Sequence, residues 1–261
     1  MTDGPRVLRD LVFAENVGFR PLSLDLHLPA VPGAALVVFL HGGGWRAGSR
    51  RVLCPAIEAG QAFPRIVAAG LAVASLDYRL SGEARFPAQI DDVAAALAWL
   101  RAHADGYGVD ASRMVLWGES AGATLAALAG LEDPGVRGVV DWYGPADLPA
   151  MAEALGQADD PTTREAGWLG HPLSADPARA RAASPVSHVR AGAPPFLICH
   201  GLADEAVPPA QSQALAAALR AVGAPVELTL VPGAGHMWHG ADVDRLSLVD
   251  AAAAFCTRVC R

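Results

Sequence analysis

A serine able to attack a carbonyl stands in Gly118-Glu119-Ser120-Ala121-Gly122, directly after the apolar run Met114-Val115-Leu116-Trp117. A strand can turn at once into a helix around a serine only if residues 118 and 122 are small enough for the two elements to approach. Such a turn holds the serine at a strained backbone angle with its hydroxyl exposed. Two glycines around a serine also occur in ordinary turns, so the placement between a predicted strand and a predicted helix carries the argument. A second glycine-rich segment, His41-Gly42-Gly43-Gly44-Trp45, follows an apolar run that ends at Leu40. Consecutive glycines can turn backbone N–H groups into a cavity, where they stabilise the oxyanion of a tetrahedral intermediate. A dinucleotide loop is disfavoured there, because the spacing is not G-x-G-x-x-G and neither a helix start nor an acidic ribose contact follows.

A serine nucleophile needs a base, and the base needs an orienting carboxylate. Of eight histidines, His236 lies in Pro232-Gly233-Ala234-Gly235-His236-Met237-Trp238, just after the last predicted strand. Asp204 lies in His200-Gly201-Leu202-Ala203-Asp204-Glu205-Ala206-Val207-Pro208, just after the strand before it. Both would emerge at the sheet edge that carries Ser120, in the chain order Ser, Asp, His. His239 and Glu205 compete for the roles of base and carboxylate. His27, His103, His171 and His188 read as solvated or capping residues, and His41 and His200 as loop residues bonded to backbone. Two histidines without a third ligand make a poor metal site, and the chemistry needs neither metal nor cofactor.

These residues must be positioned by something, and the hydrophobic pattern says what. Strands are predicted at Leu11 to Ala14, Leu22 to Leu28, Ala35 to Leu40, Ala72 to Leu76, Met114 to Trp117, Val136 to Trp142, Phe196 to His200 and Val226 to Val231. They alternate with Ala-rich segments of helical period, the pattern of a mostly parallel eight-stranded sheet with helices on both faces. The first two strands alternate apolar and polar residues, as an antiparallel edge pair should. The later ones read as continuous apolar runs belonging mid-sheet. Helices are expected over Pro87 to Ala104, Pro208 to Val222 and Asp242 to Arg258, the first two followed by the stop signals Gly106 and Gly223. Residues 144–189, rich in Pro, Ala and acidic side chains, have no strand pattern and read as a small helical cap over the sheet. No boundary divides residues 1–261, so one α/β domain is expected.

Composition excludes several other chemistries. The chain has 20 basic and 27 acidic residues, a formal charge of -7, and no basic run able to track a phosphate backbone, so nucleic acid is not an expected partner. It contains no lysine, which removes the P-loop lysine, pyridoxal Schiff bases and lysine nucleophiles. Apolar stretches such as Ala34 to Leu40 are far short of a membrane span, and the N-terminus has no apolar core of a secretory signal. A cytoplasmic location without membrane attachment follows. Cys54, Cys199, Cys256 and Cys260 lack the spacing that zinc needs and read as reduced thiols.

The His41 to Trp45 loop and the Gly118 to Gly122 turn together make the chain resemble the α/β-hydrolase superfamily. Within it, the chain is similar to the hormone-sensitive-lipase-like and bacterial feruloyl-esterase-like carboxylesterases. Asp77-Tyr78-Arg79-Leu80, Phe86-Pro87-Ala88-Gln89, Asp141-Trp142-Tyr143-Gly144-Pro145 and Ala183-Ser184-Pro185-Val186 resemble the same group. The resemblance implies an α/β-hydrolase fold and a serine carboxylesterase acting through an acyl-enzyme. In it Ser120 is the nucleophile, His236 the base and Asp204 the orienting acid, with the amides of Gly43, Gly44 and Ala121 on the oxyanion. One departure is a short approach to the first strand, so any cap must come mainly from residues 144–189 and pocket size does not transfer. Trp45, Tyr78, Trp142, Tyr143, Trp168, Met237 and Trp238 fall in loops or strand ends facing the presumed site. They are expected to line a pocket for small aryl or short acyl esters, with Trp168 read as a pocket wall rather than a cap anchor. An arylformamidase-like amide hydrolase with the same triad is the alternative, and a non-catalytic ligand-binding protein on this fold a remote one.

Overall fold

The computed structural model describes residues 4–54, 56–57, 59–240 and 244–261. Eight strands, β1 (Arg6–Ala14), β2 (Leu22–Leu28), β3 (Ala34–Leu40), β4 (Ala72–Leu76), β5 (Val109–Glu119), β6 (Val136–Trp142), β7 (Phe196–Gly201) and β8 (Val226–Val231), join one sheet in the order β1-β2-β4-β3-β5-β6-β7-β8. β1 and β2 pair antiparallel, as do β2 and β4; every other pair is parallel. Eight α-helices accompany them: α1 (Ala59–Ala68), α2 (Ala88–His103), α3 (Ala121–Glu132), α4 (Leu148–Ala154), α5 (Arg164–Leu169), α6 (Pro177–Ala182), α7 (Ala210–Ala221) and α8 (Arg245–Val259).

The period of two along a strand builds two cores from one sheet. Leu36, Val38 and Leu40 of β3 face the side covered by α2, α3 and α7, where Leu97, Leu125 and Leu215 are buried. Val37 and Phe39 face the other side, with Ile66 of α1 and Phe255 of α8. α3 is buried from Ala121 to Leu131, which its all-apolar circumference requires.

Three strand expectations need correction. β1 begins at Arg6 rather than Leu11; register shifts between Leu8 and Leu11 and between Val12 and Ala14 break the alternation that would have revealed its length. β5 begins at Val109, because its first residues, Asp110 to Arg113, are polar and partly exposed at one end of the sheet. β8 is an edge strand whose residues alternate between exposed and half-buried up to the buried Val231, not a strand covered on both faces. The helix α1 falls where no helix was expected, and Pro64 within it masks the pattern. The first residues of the closing helix expected from Asp242 lie outside the described residues. Residues 144–189 form α4, α5, α6 and short 3-10 turns. No helix among the described residues is long and apolar enough to cross a membrane.

Candidate active site

Ser120 sits between β5 and α3 at φ 52° and ψ -122°, a region that a residue with a Cβ rarely occupies. Its N–H donates to Trp142 O at 2.8 Å, and its carbonyl accepts from Ala123 N–H and Thr124 N–H, so neighbouring elements fix the unfavourable angle. A Cβ on Gly118 would strike the Gly122 carbonyl, and one on Gly122 would strike that of Leu40. The close approach inferred from the spacing is therefore real, and it packs the turn against the end of β3.

The Ser120 hydroxyl lies 3.0 Å from His236 Nε2, and His236 Nδ1 lies 2.7 Å from Asp204 Oδ2. A carboxylate only accepts, so Nδ1 carries the proton, and Nε2 is left to accept from the serine. His236 opens a 3-10 turn, His236–Trp238, in which Met237 and Trp238 take φ of 57° and 63°. The turn is held by the buried Trp238 indole, whose backbone carbonyl accepts from Arg245 Nε and Nη2, and by Gly235 N–H donating to His239 O at 2.7 Å. Asp204 follows β7 with its side chain fully buried. Its Oδ1 accepts from Ala206 N–H and Val207 N–H, each at 2.9 Å. Burial alone would raise its pKa, but hydrogen bonds from His200, His236 and Val207 outweigh that and hold the carboxyl well below the usual carboxylate range.

The glycine loop after β3 curves over the serine. Gly43 and Gly44 have φ of 106° and 62°, and a Cβ on either would run into Ala47 O or the Arg164 side chain. Their N–H groups and that of Ala121, the first residue of α3, donate to no protein acceptor among the described residues. Gly42 N–H instead donates to Glu119 Oε1 at 2.7 Å, tying the loop to the residue before the serine. Glu119 is buried, and burial pushes its carboxyl up to about 7 against the partial relief of that N–H and of the nearby Tyr143 hydroxyl. Neither its Oε2 nor that hydroxyl makes a well-aligned hydrogen bond among the described residues.

A cavity of about 560 Å³ opens above Ser120, walled by Gly43, Gly44, Arg46, Ala47, Arg164, Ala203, Glu205, Ala206, His236, Met237 and His239. A larger one, about 790 Å³, is bordered by Val109, Arg137 and Pro32 at the other ends of the strands, and none of Ser120, Asp204 and His236 borders it.

The BD-FAE family model matches residues 24–219. The chain belongs to the BD-FAE family. This BD-FAE member is 34% identical to esterase LipC of Mycobacterium tuberculosis over 223 residues, 80% of this chain and 54% of that one. It is 34% identical to esterase LipQ of the same organism over 236 residues, again 54% of the relative. The chain thus spans about half the length of the curated relatives it matches. Among solved structures, a truncated carbohydrate esterase from gut microbiota superposes with a TM-score of 0.84 at 28% identity, covering 98% of this chain and 96% of that one. The propionate-bound esterase Est2 of Thermogutta terrifontis superposes with a TM-score of 0.76 at 27% identity, covering 99% and 95%. The fold is that of the α/β-hydrolases.

The structure of this BD-FAE member brings Ser120, His236 and Asp204 together and sets Gly43, Gly44 and Met237 on the cavity wall. His239 and Glu205 also reach the wall, but the partners of Ser120 and His236 are His236 and Asp204. The aromatic residues expected to line the pocket do not. Trp45, Tyr78, Trp142, Tyr143, Trp168 and Trp238 are all 0–1% exposed, because rings this large, at strand ends where helices and loops close over the sheet, complete the core instead. Trp168 is an anchor rather than a wall: its indole stacks on Trp45 with centroids 4.1 Å apart, and its Nε1 donates to Gln89 Oε1 at 2.8 Å. Tyr78 stacks on His41 and donates to its carbonyl at 2.8 Å. Arg46 and Arg164 were missed as wall residues. Arg46 immediately follows the glycine loop and could have been found from that; nothing in the pattern of residues 144–189 marks Arg164. His200 bonds to more than backbone: its Nδ1 lies 2.7 Å from Ser212 Oγ, and its Nε2 comes within 3.2 Å of Asp204 Oδ2.

Proposed function

We propose that this chain is a serine carboxylesterase working through an acyl-enzyme. The carrying observation is the continuous hydrogen-bonded line from Ser120 through His236 to Asp204. Ser120 Oγ attacks the ester carbonyl as His236 Nε2 takes its proton, and the Asp204 carboxylate stabilises the imidazolium that results. The N–H groups of Gly43, Gly44 and Ala121, free of protein acceptors, stabilise the oxyanion at the N-terminus of α3, where the helix dipole adds positive potential. His236 returns the proton to the leaving alcohol, and water repeats the cycle on the acyl-enzyme.

The walls favour a short acyl group and a polar alcohol. Met237 is the one large apolar side chain among them, while Arg46, Arg164, Glu205 and His239 are polar, and the rings that could have stacked on an aryl group are buried. The propionate carried by the related Est2 structure accords with a short acyl site. We read residues 1–261 as one α/β-hydrolase unit whose cap is residues 144–189, with Arg164 of that segment reaching the site. Four buried free thiols suit a reducing compartment, so a cytoplasmic location belongs to the same reading.

A fluorophosphonate probe should label the wild-type chain at Ser120, and Ser120→Ala should abolish labelling and lower kcat for p-nitrophenyl acetate by a factor on the order of 10⁶. Labelling elsewhere, or turnover that survives the substitution, overturns the assignment. Faster turnover of N-formylkynurenine than of any short ester would make the enzyme an amide hydrolase with the same triad.

A further inference from the structure

Asp204 is held by two histidines, not one. His200, the penultimate residue of β7, is fully buried. Its Nε2 lies 2.9 Å from Val207 O and 3.2 Å from Asp204 Oδ2, and its Nδ1 lies 2.7 Å from Ser212 Oγ on α7. A carbonyl and a carboxylate are both acceptors, so Nε2 must carry the proton. The Ser212 hydroxyl has no other acceptor among the described residues, so donation to Nδ1 satisfies it and leaves the ring neutral. The single N–H of His200 donates to Val207 O and leans toward Asp204 Oδ2 at 3.2 Å, the same carboxylate oxygen that accepts from His236 Nδ1–H.

We propose that His200 is a positioning residue for catalysis: its Nε2–H, oriented by Ser212, fixes Asp204 Oδ2 in place and limits how strongly that oxygen supports a proton on His236. This rests on the triad reading given above. The reasoning is electrostatic. Each N–H that Oδ2 accepts draws on the same charge, and in a buried site such a donor acts with little screening. Oδ1 is already engaged by two backbone N–H groups and Oδ2 by His236, so the approach of His200 Nε2–H to Oδ2 adds a fourth contact that restricts rotation of the carboxylate. Without His200, Oδ2 would face His236 alone. The full charge of Oδ2 would then fall on His236 Nδ1–H, and the carboxylate would be less well placed.

Other ionisable groups face His200. Asp141, buried on β6, is the nearby carboxyl; burial pushes it up to about 6, and Gly144 N–H satisfies one of its oxygens. The Tyr143 ring stands edge-on, with centroids 6.5 Å apart. Asp141 and Tyr143 stay the same across the variants below, so they shift the profiles in common and do not distinguish them.

The test uses two substitutions of nearly equal length. In His200→Gln an amide N–H can still reach Oδ2; in His200→Met none can. In the Met variant the acid limb of the kcat/KM–pH profile should move to higher pH by about half a unit or more, and kcat should fall by about tenfold to a hundredfold. The Gln variant should restore the limb. Acid limbs that coincide in wild type, Gln and Met, with only the melting temperature lowered, would reduce His200 to packing and overturn the proposal. Should the Met variant fail to fold, ¹⁵N spectra of the wild-type histidine rings decide. A neutral His200 protonated at Nε2, converting to a mixture of tautomers in Ser212→Ala, supports the proposal; a proton on Nδ1 with Nε2 bare overturns it. Fluorophosphonate labelling of the same samples shows separately whether the triad reading itself stands.

Discussion

At the scale of single residues, the site contains a carboxyl that its chemistry does not use. Glu119 lies beside Ser120, the proposed nucleophile, buried, with one oxygen on Gly42 N–H and the other without a well-aligned partner among the described residues. An ionised Glu119 would set negative charge under the loop proposed to receive an oxyanion, while its hydrogen bond helps fix that loop. Burial raises its pKa to about 7 in the folded chain, and a raised acid pKa means that the folded state holds the proton more tightly than the unfolded one. Stability from this group is therefore greatest at low pH and falls as pH rises from the unfolded carboxyl range through about 7. Glu119→Gln keeps an acceptor for Gly42 but cannot ionise. Denaturant titrations should find the variant close to wild type at pH 5 and gaining on it by pH 8, by up to roughly 3 kcal/mol if the whole shift is expressed. A constant difference between the two pH values would place the ionisation elsewhere. Asp204 works in the opposite sense, its depressed pKa contributing stability that is lost only as pH falls through the acid range.

At the scale of elements, what could be read beforehand depended on whether a residue's role is set by its neighbours in sequence. Ser120, Asp204 and His236 each directly follow an apolar strand, so short-range pattern alone brought them to one sheet edge. Trp168 could not be placed that way. It belongs to a six-residue helix, α5, and its side chain is oriented by Trp45, Phe86 and Gln89, which are distant in the chain. The direction of an aromatic ring is a tertiary fact, and the same holds for Arg164, whose stem lies over Gly44. β1 and β8 were misjudged for a related reason, since edge strands carry bulges and alternation that periodicity reads poorly. Because Trp168 pins α5 to the Trp45 end of the glycine loop, Trp168→Ala should cost about 3–5 kcal/mol of stability and leave Gln89 Oε1 without its donor. Activity per folded molecule toward short and long p-nitrophenyl esters should change in parallel. A strong change in the ratio of kcat/KM between those esters, at unaltered stability, would mean that the ring does face the cavity.

At the scale of the whole molecule, the antiparallel edge of the sheet is coupled to the segment after the glycine loop by a cluster of cations centred on Arg50. Arg50, six residues beyond Gly44, pairs through its guanidinium with Asp10, Asp25 and Asp77, which belong to β1, β2 and the end of β4. Its Nε lies 2.8 Å from Asp25 Oδ1, and its backbone N–H donates to Asp77 Oδ1 at 2.9 Å. Arg9 and Arg51 add further contacts to Asp25. Asp25 is 1% exposed; burial opposes its charge, and the hydrogen bonds from Arg50, Asp10 N–H and Arg51 overcome that and lower its pKa. Removing one member of such a buried group costs more than the pair itself contributes, since the partners are left charged and desolvated. Arg50→Met should therefore destabilise the fold by about 3–5 kcal/mol at neutral pH. The stability that Asp25 contributes is present above its unfolded pKa and lost as pH falls through the folded one. The gap between variant and wild type should thus narrow in acid, where the carboxylate no longer needs its cation. Turnover should drop as well, because the segment from Gly43 to Arg50 keeps only its backbone bonds and the Arg51 pairs to the sheet, and the proposed oxyanion donors are held less firmly. Chemical denaturation from neutral pH down into the range below the ordinary carboxylate pKa, paired with kcat for a short ester at neutral pH, checks both effects. A loss of stability independent of pH would mean that Arg50 acts through packing of its stem, and full turnover in a destabilised variant would mean that the glycine loop is positioned by Glu119 and the Ser120 turn alone.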